Sequence, residues 1–334
     1  MGRTELRFEV IQETLKISQN KLSVKELCEL AGVSRSGYYR WVAAAPVRAE
    51  KERKDKEAFQ SILTAYRFRG YDKGIRGIQM RLCRMGITMN HKKIQRLMRK
   101  YRLQCPIRKL NPYRRLMKEL RTDVVFDNVV NREFKAHGPR KILLTDITYI
   151  HLKEEFVYLS VIIDAYTMQV LAYRLSDSLR VDFMLDTVND LIRDHGVSLD
   201  EETCIHSDQG SHYTSVSFRE LIKNYDLRQS MSRKGNCWDN APQESFFGHM
   251  KDEISPYALR WKTFKDVQER IDDWINYYNN DRYQVGLKQM APNEYYRYAT
   301  TGELPTELKE QRYRSGAGTE SRDSTLDAKH PGSP

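Results

Sequence analysis

The sequence predicts an α/β protein. A mixed sheet with helices on its faces, in the order βββαβαβαα, follows an all-α region built from helix-turn-helix units. Three observations carry this. Up to about residue 140, apolar residues recur at helical spacing, whereas from residue 141 they form short β-type runs that then alternate with helical stretches. Residues 1–141 hold 34 Lys and Arg against 14 Asp and Glu, a net +20, while residues 142–334 hold 22 against 31, a net −9. A length of 334 residues gives room for two or three domains of roughly 100–200 residues each.

Composition removes several classes. With 40% hydrophobic and 30% charged residues, the chain can build ordinary cores, which excludes collagen-like and wholly disordered readings. No apolar run approaches the ~20 residues of a membrane helix, and the N-terminal MGRTELRFEV has no apolar signal region, so no membrane partner and no secretion are expected. Cys28, Cys83, Cys105, Cys204 and Cys237 are odd in number and lack zinc-type spacing. A disulfide framework and a Cys-based zinc site are therefore excluded, and a reducing cytoplasm fits.

The front of the chain reads as three basic segments. In residues 1–57, Ser23-Val24-Lys25-Glu26 has capping-box form and starts a helix with Leu27, Leu30 and Ala31 on its apolar face. Gly32 makes the turn, and Ser34 caps a second helix, Arg35 to Val42, in which Tyr38, Trp41 and Val42 face the core while Arg35 and Arg40 stay outside. That geometry suits a DNA major groove. Pro46 to Glu57 is a charged connector, helical toward its end. Residues 58–105 form a second basic helical unit. Its last helix, His91 to Tyr101, sets Ile94, Leu97, Met98 and Tyr101 against Lys92, Lys93, Arg96, Arg99 and Lys100, a face without acidic residues that is expected to grip phosphates. Residues 106–140, broken by prolines and rich in Arg and Lys, read as a linker.

From 141 to 298 the elements are Ile142–Ile150, Phe156–Asp164 and Met168–Leu175 as an antiparallel meander, then helix Val181–His195, strand Thr203–Ser207, helix Ser215–Tyr225, strand Leu227–Met231, and helices Asn240–Ile254 and Phe264–Asn279. This is the order of a ribonuclease H-like fold. Residues 299–334 form a tail whose end, without periodicity, is expected to be disordered.

Three acidic residues stand where such a fold would gather them. Asp146 lies inside an apolar strand, where a carboxylate is costly unless compensated. Asp208 follows the strand ending at Ser207, and Glu244 lies early in a helix, with 35 residues between the two. Carboxylate oxygens suit hard cations such as Mg²⁺ and Mn²⁺. Two such ions can clamp the attacking and leaving oxygens of a phosphoryl transfer. Lys251, seven residues after Glu244, falls on the same helix face, and Arg233 and Lys234 form a basic approach to it. All three are candidate phosphate contacts.

These motifs resemble the DDE transposases of the IS-three family of bacterial insertion sequences, whose catalytic core is similar to that of retroviral integrases. Thr-Asp-Ile-Thr-Tyr-Ile around Asp146, His-Ser-Asp-Gln-Gly-Ser-His-Tyr around Asp208, and the stretch from Ser232 to Phe247 around Glu244 resemble its three acidic motifs. Tyr277-Tyr278-Asn279, Arg282, Gly286-Leu287 and Ala291-Pro292 resemble its C-terminal signature. The resemblance implies Asp146, Asp208 and Glu244 as catalytic and metal-binding residues, with two Mg²⁺ ions per site replaceable by Mn²⁺. It implies cleavage at element ends and 3′-OH strand transfer into target DNA. The implied partners are double-stranded DNA (terminal inverted repeats and target), a homodimer or higher oligomer on that DNA, and an upstream-frame helix-turn-helix/leucine-zipper protein, in a bacterial cytoplasm at the nucleoid. Two rival readings are a non-enzymatic helix-turn-helix regulator and a nuclease of the same fold that cannot join strands.

Overall fold

A computed structural model describes residues 3–71, 73–105, 136–232 and 240–309. The chain divides into two compact units, Met1–Thr64 with Ile94–Leu103 and Ala65–Lys93 with Gln104–Pro334. The first contains α1 (Arg3–Lys16), α2 (Val24–Ala31), α3 (Arg35–Ala43), most of α4 (Ala45–Arg67) and, from Ile94 on, α6 (His91–Lys100). The second holds α5 (Ile75–Arg84) and all the strands.

The helix-turn-helix forms for the reasons legible in its sequence. Ser23 accepts from Glu26 N–H while the Glu26 carboxylate takes Ser23 N–H at 2.8 Å. Gly32 ends α2 at φ 62°, a left-handed conformation that favours glycine, and the Ser34 hydroxyl caps α3 through Gly37 N–H at 3.1 Å. Three features differ from expectation. A helix precedes the pair: α1 buries Phe8 and Ile11 against Leu27, Cys28 and Tyr38. Leu30 is 75% exposed rather than in the core. The face that meets α1 is centred between Leu27, Cys28 and Ala31, and at ~100° per residue Leu30 falls off its edge. The segment expected as a connector is part of the continuous 23-residue helix α4.

On α6, Ile94, Leu97 and Met98 are buried as the periodicity requires. Its polar face is not wholly free, however. Arg96 grips both oxygens of Asp55 at 2.8 and 2.7 Å, and Lys100 reaches Asp55 at 2.8 Å and also Glu52. The acidic residues absent from α6 come from α4.

In the second unit, α5 also buries an apolar face (Ile78, Met80, Leu82), but its Arg81 and Arg84 turn to the body of this unit, while Arg76 is exposed. Arg81 bonds Asp281, and Arg84 bonds Glu294 at 2.6 Å and Glu307 at 3.2 Å. The sheet has the order β3-β2-β1-β4-β5. β1 (Ile142–Leu152), β2 (Glu155–Asp164) and β3 (Val170–Ser176) are antiparallel, while β4 (Cys204–Ser207) runs parallel to β1 and β5 (Arg228–Met231) parallel to β4. With helices on both faces, this is the ribonuclease H-like arrangement. On one face α7 (Val181–His195) and α8 (Val216–Asn224) bury Met184, Val188, Leu191, Phe218 and Ile222 against Leu143, Ile162 and Ile205. On the other, α9 (Ala241–Ile254) and α10 (Phe264–Asn280) bury Phe246, Met250, Ile271 and Trp274 against Ile150, Leu159 and Val161. The folded body outruns residue 298: α11 (Pro292–Thr301) is followed by Leu308, buried with Leu287, Met290 and Tyr295. The expected disordered end lies outside the described residues. No helix among the described residues is long and apolar enough to cross a membrane.

Candidate active site

The sheet order makes β1 and β4 neighbours, with Leu144 opposite His206. Asp146 and Asp208 therefore emerge two residues further along adjacent parallel strands. β1 alternates, and its even residues Ile150 and Leu152 pack in the core formed with α9, so Asp146 turns to the same helix that carries Glu244. Burial holds the Asp146 carboxyl well above the usual carboxylate range, and the charges of Asp208 and Glu244 push it further up. Ile147 N–H and the nearby Lys251 pull the other way.

Asp208 lies at the open rim of the site. Protein atoms around its carboxyl still raise it, while Gly210 N–H, donating at 2.9 Å, and His212 oppose the rise. Gly210 is needed there: a Cβ would sit 2.9 Å from Asp208 Oδ1. Beneath the pair, Tyr213 is fully buried with its hydroxyl 3.4 Å from Thr145 Oγ1. Burial and then the two aspartates keep it from ionising. His206 is buried and bonded to Ser230 at 3.0 Å, which makes it a structural histidine.

Asn240 occupies the N-cap position of α9, yet its side chain does not cap the helix. Its Nδ2 donates instead to Asp146 Oδ2 at 3.3 Å, and its buried Oδ1 has no partner among the described residues. Lys251 Nζ lies 4.5 Å over the ring of Tyr149, and burial depresses it to about 8 despite the pull of Asp146. Tyr149 as a partner of Lys251 was not foreseen, although it stands in the motif around Asp146.

A divalent cation fits the chemistry of this donor set. The donors are carboxylate oxygens, their mutual repulsion still outweighs the donors around Asp146, and an amide oxygen of Asn240 without a partner among the described residues lies beside them. As they stand, no three His, Cys, Asp or Glu side chains among the described residues are gathered tightly enough to enclose an ion.

The other expected contacts are distributed differently. Arg35, Arg40, Lys92, Lys93 and Arg99 are exposed on the first unit or at its α6 boundary. Arg96 and Lys100 are held by the acids of α4. Arg233 and Lys234 lie outside the described residues.

A ribonuclease H-like sheet that presents three carboxylates from β1, the end of β4 and α9 defines an integrase-type core. An integrase core domain model matches residues 136–237, a second integrase core domain model residues 225–292, and an HTH-like domain model residues 52–110. The chain is 33% identical over 273 residues to the putative transposase InsK of insertion element IS150 from Escherichia coli, covering 81% of this chain and 92% of that one. It is 30% identical over 268 residues to a 31 kDa protein of element IS600 from Shigella sonnei (80% and 96% covered), and 28% identical over 264 residues to the transposase InsF of IS3A from Escherichia coli (77% and 90%). The chain belongs to the integrase-core transposases of bacterial insertion sequences, in the IS-three family. Among solved structures, the HTLV-2 integrase catalytic core in complex with magnesium aligns at 15% identity and a TM-score of 0.40, over 48% of this chain and 99% of that one.

Proposed function

We propose that the chain is a DNA transposase that cuts element ends and joins the freed 3′-OH to target DNA at a single site formed by Asp146, Asp208 and Glu244. The observation that supports this most directly is the electrostatic one. Asp146 is raised by burial and by the charges of two carboxylates from separate elements, Asp208 and Glu244, an arrangement whose cost a divalent cation can offset. Asp146, Asp208 and Glu244 would hold Mg²⁺ or Mn²⁺, two ions at full occupancy, and bound cations supply Lewis-acid stabilisation of charge at the phosphorus centre. In the first step a water oxygen displaces the 3′ oxygen of a phosphodiester. In the second that 3′-OH attacks another phosphodiester and expels its 3′ oxygen.

Asn240 orients the Asp146 carboxylate, and Lys251 offers a phosphate a partly dehydrated cation. Arg35, Arg40, Lys92, Lys93 and Arg99 grip duplex DNA, with Arg233 and Lys234 assigned to the approach to Glu244. Joining two ends calls for at least a dimer on DNA, and an upstream-frame protein is its candidate partner.

The test is strand transfer of a labelled, pre-cut element end into excess target DNA. Product that requires Mg²⁺ or Mn²⁺ and disappears with EDTA and with Glu244→Gln supports the reading. Metal-dependent hydrolysis without joined product would assign a nuclease. Binding without either, even with the upstream-frame protein added, would assign a regulator.

A further inference from the structure

Beyond Asp146 the strand β1 leads to three aromatic rings that the reaction described above does not use. Tyr149, His151 and Phe156 form a mutual cluster, with ring centroids 5.6 Å apart for Tyr149–His151, 5.3 Å for Tyr149–Phe156 and 4.8 Å for His151–Phe156. Register explains the cluster. His151 lies opposite Phe156 and Tyr149 opposite Tyr158, so the rings share one face of the β1–β2 hairpin. That face is the one α7 and α8 cover lower down, but here it is open: His151 is exposed and Phe156 is 42% exposed. Apolar rings left in water at the end of a strand are costly unless they serve a contact.

Asp146 turns to the α9 face of β1 and the rings to the other face, and Lys251 links the two: it feels the charge of Asp146 and places its Nζ 4.5 Å over the Tyr149 ring. Tyr149 follows Asp146 by three residues, roughly 10 Å along a strand, a span of one or two nucleotides. A cation at the inner end and stacked ring faces at the outer end match a nucleotide, with phosphate at one end and base at the other. Glu154 and Glu155 flank the hairpin turn, so the phosphate is directed to the Lys251 side and the base to the rings.

We propose that Tyr149, His151 and Phe156 form a stacking platform for an unpaired base of the DNA strand held at the carboxylates, with Phe156 and His151 as its outer faces. The proposal rests on the reading of that site as a DNA site, and its test does not depend on joining. Full-length protein is titrated with a blunt duplex and with the same duplex carrying a short unpaired 3′ tail that contains 2-aminopurine, in Mg²⁺. Stacking quenches the probe and makes the tailed duplex bind more tightly. Phe156→Ala and His151→Ala are expected to lose most of the quench and to reduce the tail preference roughly 5- to 50-fold. Phe156→Trp should restore both. Because both residues are exposed, the variants should keep the thermal midpoint of the parent. An unchanged tail preference and quench in the alanine variants overturns the proposal. So does a change in oligomeric state without a change in tail preference, which would assign the rings to an interface between copies. If the wild type prefers the tail but forms no joined product, the transposase reading fails and the platform stands.

Discussion

α5 and α6 are neighbours in sequence and each 10 residues long with several basic residues, yet they use most of their charges in opposite ways. Two of the three arginines of α5 are consumed inside the second unit, and Arg76 is exposed. The Arg81 side chain is 9% exposed and the Arg84 side chain 6%, they are paired with Asp281, Glu294 and Glu307, and Arg81 is stacked at 3.6 Å on Phe68. On α6 only Arg96 and Lys100 are paired, while Lys92, Lys93 and Arg99 stand in water. Basic composition alone therefore says that a helix needs anions. Whether those anions are carboxylates of the same chain or phosphates of another molecule depends on residues about 200 positions away.

The comparison can be broken by removing charges one at a time. Arg84→Ala should cost most, about 3–5 kcal/mol, because it leaves Glu294 half-buried without its partner. Chemical denaturation of the full chain would read this, and a loss below about 1 kcal/mol would show that α5 is not fastened by its arginines.

Lys251→Met should separate stability from function. Burial depresses this lysine to about 8, so below that pH the fold pays for keeping it charged, and that cost fades as pH rises from about 8 through the ordinary lysine range. The variant should therefore melt higher near pH 7, by an amount on the order of 1 kcal/mol, while strand transfer falls at least tenfold. Lower stability together with normal joining would contradict both assignments.

Asp55→Asn tests the paired half of α6. Hydrogen bonds from Arg96, helped by Lys100, hold Asp55 well below the usual carboxylate range, so its contribution is present above the unfolded value near 4 and is lost as pH falls through the folded one. Arg96 is half exposed, and solvent screening limits the gain to about 1 kcal/mol near pH 7. The gap between wild type and variant in thermal midpoint should close progressively as pH falls below 4.

The smallest structural effect is expected at Lys92 and Lys93. Alanine at either should change stability by less than about 0.5 kcal/mol and lower the slope of log affinity against log salt by about 1 for DNA of any sequence. A slope unaffected at both positions would remove Lys92 and Lys93 from the DNA contacts.

Much of this was legible in the sequence. The strands, the capping box and the three acidic motifs are local signals, and each needs only a few adjacent residues to be read. α1 was harder because its core residues Phe8, Ile11 and Leu15 are interleaved with Leu6, Val10 and Ile17, which remain exposed, and the helical stripe is blurred. Asn240 stands in the sequence only as the start of a helix, and only the sheet order brings Asp146 within its reach. The pairing of Arg81 with Asp281 and of Arg96 with Asp55 has no local sequence signature at all.

One feature of β1 bears on how the protein can be handled. β4 pairs with β1 only over Ile142–Leu144, so the remainder of this 11-residue strand overhangs its neighbour. An overhanging edge is a template for strand addition by another chain, and thus for aggregation. On the part beyond β4, Ile147 N–H is already taken by Asp146 Oδ1 at 2.8 Å. The aspartate is thus a gatekeeper as well as a candidate ligand. Asp146→Ala, an obvious choice for trapping an inactive complex, also uncaps that edge. Glu244→Gln leaves it blunted and is the better trap.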